Sequence, residues 1–204
     1  EKKKLHHYFS KIDIIGRNLL SLLNDLLDLS KLESGTIDYD MKIANPQSIV
    51  SNTIGEFRSL IDEKGIIIEK SIANSLSTIV CDENKIGQVV RNLISNAIKF
   101  TPSGKKVSIL VKSSELQVND KKLVPAVLIT VIDQGVGIPE DELETIFDKF
   151  VQSSKTKTNA GGTGLGLAIC KEIIKAHNGK IWAENNPEGG ATFSFLLPYE
   201  QKIS

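Results

Sequence analysis

Apolar residues near the start of the chain recur at helical spacing. Ile12, Leu19 and Leu26 repeat every seven residues, and Ile15, Leu22 and Leu29 interleave with them. Leu20, Leu23 and Leu27 widen this stripe beyond a two-stranded seam. The pattern therefore predicts a long amphipathic helix of a bundle, touching more than one neighbour. Gly35, just past Lys31, supplies a stop. No partner helix follows in the chain, so the expected partners are upstream sequence, a second copy, or both.

After Gly35 the pattern changes, dividing the chain into a partial helical domain (1–35) and a mixed domain (36–204). "TIDYDMKI" alternates like a strand, and "NPQSIVSNTIGEFRSLIDEKG" reads as one helix from Pro46 to just before Gly65. "IIIEKSI" and "STIVCD" are short strands. Asp82 is placed to cap the helix "ENKIGQVVRNLISNAIKF", which must end before Pro102. Two strands follow, "KKVSILVKSS" and "LVPAVLITVID", joined by the polar segment "ELQVNDKK". A loop-rich stretch holds one short helix near Pro139–Phe147 and is long enough to be a functional lid. A helix ending at Gly179 and a closing hairpin complete the chain. Helices and strands mix without strict βαβ alternation. The expected fold is α+β, a two-layer α/β sandwich with a mixed sheet, preceded by the long helix.

Composition narrows the function little. The chain has 204 residues, 40% hydrophobic and 25% charged, an ordinary composition for a soluble protein. Its 25 basic and 25 acidic residues cancel, which gives no electrostatic case for nucleic acid or an anionic membrane surface. Cys81 and Cys170 lack metal-ligand spacing and suit a reducing compartment. No apolar run approaches the ~18 residues needed to span a bilayer. The opening "EKKKLHH" lacks a methionine, and the chain reads as part of something longer.

Four places carry candidate chemistry. Asn92 and Asn96 lie one above the other on a helix beside Leu93, Ala97 and Phe100, although asparagine is a mediocre helix former. Asp133 ends a buried-looking strand before Gly135 and Gly137. It either starts a turn or accepts a hydrogen bond from an exocyclic amine, as adenine offers and guanine does not at that place. Gly161, Gly162, Gly164 and Gly166 lead into a helix, as a flexible loop or as a phosphate cradle at a helix start. Their spacing fits neither the P-loop nor the dinucleotide-binding fingerprint. Thr192 follows two glycines in a strand, facing a ligand or simply preferring the strand.

Taken in order, these segments resemble the catalytic ATP-binding domain of bacterial sensor histidine kinases, within the wider family of gyrase-type ATPases. "NLISNAIKFTP" is similar to the family's N box, "DQGVGIP" to its first glycine box and "IFDKFVQ" to its F box. "GGTGLGLAI" and "GGATFSF" resemble the second and third glycine boxes. "LLSLLNDLLDLSKLESG" resembles the second helix of the dimerisation and histidine-phosphotransfer hairpin. The resemblance implies ATP and Mg²⁺ as ligands, with Asn96 giving its amide oxygen to Mg²⁺ and Asn92 a second ligand or hydrogen-bonding neighbour. It implies that Asp133 takes the adenine amine, with Gly135, Gly137, Ile138 and Thr192 around the base. Gly161, Gly162, Thr163, Gly164, Leu165, Gly166 and Leu167 would cradle the phosphates. Lys99 is placed to contact phosphate, with Arg91 a weaker candidate. Lys155 and Lys157 lie in the implied lid, as phosphate contacts or as solvated charge, and Phe147 and Phe150 would anchor that lid by packing.

The resemblance also bears on mechanism. Water-activating members of the superfamily carry a glutamate one turn before the metal-binding asparagine, and here that position is Asn92. An amide is no general base, so slow hydrolysis is expected, leaving the γ-phosphoryl group for another acceptor. The family's acceptor histidine, with its acidic neighbour and following proline, has no match here, so no catalytic residue is assigned within the chain. His6 and His7 lack both features, and His177 at a helix end reads as structural. The implied partners are the upstream phosphotransfer helix of a homodimer and a response-regulator receiver domain, with a cytoplasmic kinase core. Alternatives are an inactive nucleotide-binding scaffold, or an ATPase or serine kinase of the same superfamily.

Overall fold

The computed structural model of the chain describes residues 2–119, 122–155 and 163–200. It contains α1 (Lys2–Glu33), β1 (Lys42–Ala44), α2 (Pro46–Glu56), α3 (Arg58–Lys64), β2 (Ile67–Ile72), β3 (Ile79–Cys81) and α4 (Glu83–Phe100). There follow β4 (Lys106–Asn119), β5 (Lys122–Asp133), α5 (Gly166–Ala176), β6 (Lys180–Asn185) and β7 (Ala191–Pro198). The main sheet runs β2-β4-β5-β7-β6, with β2 parallel to β4 and the other pairs antiparallel. β1 and β3 form a separate antiparallel pair. This is the α+β fold with a mixed sheet that the sequence pattern implies.

Alternation along the strands puts one face of the sheet under the helices. Val107, Ile109 and Val111 of β4, Ile129 and Val131 of β5, and Phe193 and Phe195 of β7 are buried there. Leu93, Ile94 and Ala97 of α4 and Ile169, Ile173 and Ile174 of α5 cover them. α4 is capped at both ends. Asp82 Oδ1 accepts from the Lys85 N–H at 3.1 Å, and Lys64 Nζ donates to the Ile98 and Lys99 carbonyls at 2.7 and 3.1 Å. These bonds satisfy groups that a helix end leaves orphaned, and they fix the helix that carries both candidate asparagines.

The stripe on α1 divides in two. Leu29 and Leu32 join the buried core where α1 meets α5, while Ile12, Ile15, Leu19, Leu23 and Leu26 remain exposed.

Several element boundaries differ from the sequence reading. The single helix over 46–64 is broken at Phe57, whose N–H turns to the Ile54 carbonyl at 3.1 Å while its ring packs on the core. Only Lys42 and Ile43 of "TIDYDMKI" are strand, continued by Ala44, because β3 offers a partner of just three residues. Residues 115–119 and Lys122 of the polar segment are strand rather than connecting loop; β4 and β5 stay paired out to Asn119↔Lys122, beyond the reach of β7. Two 3₁₀ turns, Glu140–Glu142 and Thr145–Phe147, replace the short helix. α5 ends at Ala176, with Asn178 rather than a glycine in the left-handed conformation (φ 53°).

His177 is structural, as its position at a helix end suggests. Its Nε2 accepts from the Asp82 N–H at 3.0 Å, and Nδ1 lies 2.8 Å from the Ile173 carbonyl, so the neutral Nδ1–H tautomer satisfies both. Burial holds its pKa below the ordinary histidine value of 6.5. For a base with a depressed folded pKa, the unfolded chain takes up the proton first. Its contribution to stability is thus present above about pH 6.5 and is lost as pH falls towards the folded value. The urea midpoint of the wild type should therefore drop more between pH 7.5 and pH 5 than that of His177→Gln. Equal drops would remove His177 as the cause.

Candidate functional site

β5 delivers Asp133 to the wall of a cleft of about 550 Å³. The Gly135 and Ala191 N–H groups both donate to Oδ1, at 2.8 and 3.2 Å. Oδ2 takes no hydrogen bond from the described residues, so it is the oxygen available to a ligand. Burial raises the carboxyl pKa, and the two backbone bonds act against that rise. A side chain is impossible at Gly190, where a Cβ would stand 2.1 Å from the Asp133 carbonyl oxygen. The third glycine segment thus lets β7 close on the carboxylate.

Two asparagines that the sequence reading did not single out hold this end together. Asn185 Oδ1 accepts from the Ile138 N–H at 2.8 Å and its Nδ2 donates to the Ile138 carbonyl at 2.6 Å. That clamp fixes the turn at Gly137, which lines the cleft with φ 67°. Asn186 Nδ2 donates to the Asp133 carbonyl at 2.9 Å. Thr192 donates its hydroxyl to Asn186 Oδ1 and is not part of the cleft wall. It reaches Asp133 only through Asn186, which holds the Asp133 backbone carbonyl. Replacing Asn185 by alanine removes both bonds to Ile138, worth about 1 kcal/mol each, together with an exposed one to Glu140. We expect it to weaken adenine-nucleotide binding by roughly tenfold in a titration, whereas unchanged affinity would show that the turn holds without the clamp.

At the other end, α4 presents Asn92, Asn96 and Lys99 to the same cleft. Asn92 Nδ2 donates to the Gly166 carbonyl at 3.2 Å and approaches Cys170 Sγ at 3.6 Å. With its amide nitrogen engaged on α5, Oδ1 is the group left for the cleft. Burial lowers the Lys99 ammonium pKa, and its Nζ lies 5.1 Å from the Phe100 ring centroid. Gly164 and Gly166 line the cleft, Leu167 joins them, and Leu165 is buried beneath. The N-cap residue Leu165 makes no side-chain cap, and Gly166 and Leu167 of the first turn line the cleft, which leaves a helix start for an anion there. Gly164 has φ 70°, and a Cβ there would meet the Phe150 backbone at 2.9 Å.

The lid residues separate. Phe147 is buried and meets Phe193 edge-on, with ring centroids 6.2 Å apart. Phe150 is 60% exposed, with φ 62°, and its N–H donates to the Gly164 carbonyl at 3.0 Å. Phe150 is therefore corrected from a packing anchor to a backbone tie between the two ends of the lid. Lys155 Nζ donates to the Val136 carbonyl at 3.4 Å. Gly161, Gly162 and Lys157 lie outside the described residues, as do the side chains of His6 and His7. Arg91 is turned away from the cleft into a two-pronged ion pair with Glu56, at 2.6 and 2.9 Å.

Helix α1 also reaches the site. Leu22 and Asp25 line the cleft, and the Thr163 hydroxyl donates to Asp25 Oδ2 at 3.0 Å.

Residues 81–201 match the family of histidine kinase-, DNA gyrase B- and HSP90-like ATPases, and the chain belongs to that family. It is 35% identical over 185 residues to the sensor histidine kinase WalK of Bacillus subtilis, covering 90% of this chain and 29% of WalK. It is 33% identical to the adaptive-response sensory kinase SasA of Rippkaea orientalis, covering 87% of this chain and 43% of that protein. The chain thus spans less than half the length of these relatives. Among solved structures, full-length ShkA in complex with AMPPNP superposes with a TM-score of 0.77 at 28% identity, over 98% of this chain and 40% of that one. Histidine kinase ThkA in complex with the response regulator protein TrrA gives 0.71 at 28% identity, over 93% and 50%.

Proposed function

We propose that this chain is the Mg·ATP-binding core of a sensor histidine kinase, which passes the γ-phosphoryl group of ATP to a histidine on an upstream hairpin helix. The observation that carries this reading is a single cleft with two chemically distinct ends. A buried carboxylate with a free oxygen stands at one, and paired amides beside an uncapped helix start stand at the other. The first suits an adenine amine and the second a metal-bound polyphosphate. Asn96 and Asn92 fit Mg²⁺, which takes few protein oxygens and shares the rest between water and phosphates. Mg²⁺ would supply charge neutralisation on the phosphates. The chain's own residues do the positioning: Asp133 and the Gly137 turn fix the base, Lys99 and the start of α5 hold the phosphates, and Asn92 supplies no base for water. Such a site favours transfer to a positioned nucleophile over hydrolysis.

ShkA was solved with AMPPNP and ThkA with a response regulator, which supports an ATP site here and a receiver domain as the next phosphoryl acceptor. In this reading α1 is the second helix of a dimeric phosphotransfer hairpin, and its exposed stripe is the surface a partner helix covers. A cytoplasmic kinase core follows from the need for ATP; among the described residues no helix is long and apolar enough to cross a membrane. The test is incubation of the full-length parent protein with γ-labelled ATP and Mg²⁺. Label on a histidine, acid-labile and base-stable, is the expected result. Rapid phosphate release without protein label would make it an ATPase, and binding without either would make it a scaffold.

A further inference from the structure

The sequence gives no reason to place α1 in a nucleotide site, yet it forms part of the cleft wall. Asp25 Oδ2 accepts from the Thr163 hydroxyl at 3.0 Å, and the Thr163 oxygen accepts in turn from the Leu165 N–H at 3.2 Å. A chain of hydrogen bonds therefore runs from the start of α5 to a carboxylate on α1. The helix is anchored just beyond this point, where Gln88 Nε2 donates to Asp28 Oδ2 at 3.5 Å and Leu29 is buried. Asp25 has no ion pair among the described residues, so its charge is offset only by the hydroxyl.

The relay occupies two donors, the Thr163 O–H and the Leu165 N–H, at the place where an anion would use them. It also fixes a negative charge beside that place. Repulsion from a fixed charge grows with the charge on the ligand and is screened by salt. We propose that Asp25 is a specificity-determining residue of the cleft: its carboxylate, held on Thr163, weakens nucleotide binding more as the phosphate chain carries more charge. The inference rests on the nucleotide reading given above. In the wild type it narrows the preference for ATP over ADP and AMP, and any shift of α1 away from α5 restores that preference.

Two variants separate the charge from the hydrogen bond. Asp25→Asn keeps an acceptor for Thr163 and removes the charge, while Asp25→Leu removes both. Calorimetric titration of wild type and variants with ATP, ADP and AMP provides the readout, with Mg²⁺ to establish binding and in EDTA, where the charge rises from AMP to ATP, to read the ordering, and AMP serves as the folding control. Asp25→Asn should tighten ATP about tenfold and ADP about threefold, leaving AMP unchanged, and Asp25→Leu should tighten ATP at least as much. The gain should shrink in 1 M NaCl, where the screening length is about 3 Å. An unchanged ATP-to-AMP affinity ratio in both variants overturns the proposal. So does weaker ATP binding, which would make the carboxylate part of a cation site. If neither wild type nor variants bind any of the three nucleotides, the nucleotide reading itself fails and takes this inference with it.

Discussion

Asn96→Ala should lower phosphoryl transfer by about 10²–10³-fold while leaving metal-free nucleotide affinity within a few-fold of wild type. The asparagine sits on α4 in the cleft wall, one turn beyond Asn92, whose amide nitrogen is already bound to α5. Asn96 supplies the second amide oxygen on this wall of the cleft, beside the Oδ1 that Asn92 leaves to it. A metal that neutralises phosphate charge is worth several kcal/mol in the transition state, and each 1.36 kcal/mol is tenfold in rate. Asn96 lies at the edge of the core, so the variant should keep its fold. Comparing wild type and variant across a Mg²⁺ titration checks this, with the steep dependence of the wild type flattened in the variant. A variant that retains the wild-type rate and the same Mg²⁺ half-saturation would remove Asn96 from the metal site.

Asp133→Asn should weaken ATP by about 10–100-fold and raise the relative affinity for GTP. The amide can still accept from Gly135 and Ala191 through its oxygen, preserving the two bonds that hold the turn. It then presents an NH₂ where the wild type presents Oδ2. Adenine carries an amine donor at its exocyclic position and guanine a carbonyl acceptor there, so the change inverts the match. A hydrogen bond to a charged group is worth about 1.5–3 kcal/mol, which gives the stated range. Ionising this buried carboxylate costs folding energy at neutral pH, as its raised pKa records. The adenine amine offsets part of that cost. Competition between ATP and GTP for a fluorescent nucleotide measures the shift, and an unaltered ATP-to-GTP ratio would assign base recognition elsewhere.

The legible part of this protein was whatever a local pattern encodes. The cap at Asp82, the helix bearing Asn92 and Asn96, and the strand ending at Asp133 all follow from spacing and residue type within one element. The β6–β7 hairpin was legible for the same reason. What escaped were contacts between distant segments. Asn185 clamps Ile138 from 47 residues away, and Asp25 meets Thr163 across 138 residues. Neither leaves a periodic trace, because an asparagine or aspartate at a turn or on a helix looks the same whether it faces water or a backbone amide. Phe150 misled for a related reason. An aromatic residue two positions past Asp148 reads as a packing anchor, but its left-handed backbone turns the ring outward and leaves Phe147 to fill the core.

The most direct measurement is calorimetric titration of this chain with ATP, with and without Mg²⁺. One site per chain should fill with ATP, with affinity or heat that changes on adding Mg²⁺, and AMPPNP should displace the bound nucleotide. No heat of binding under either condition, at protein concentrations where a fold check shows the native state, would rule out a nucleotide site in this cleft.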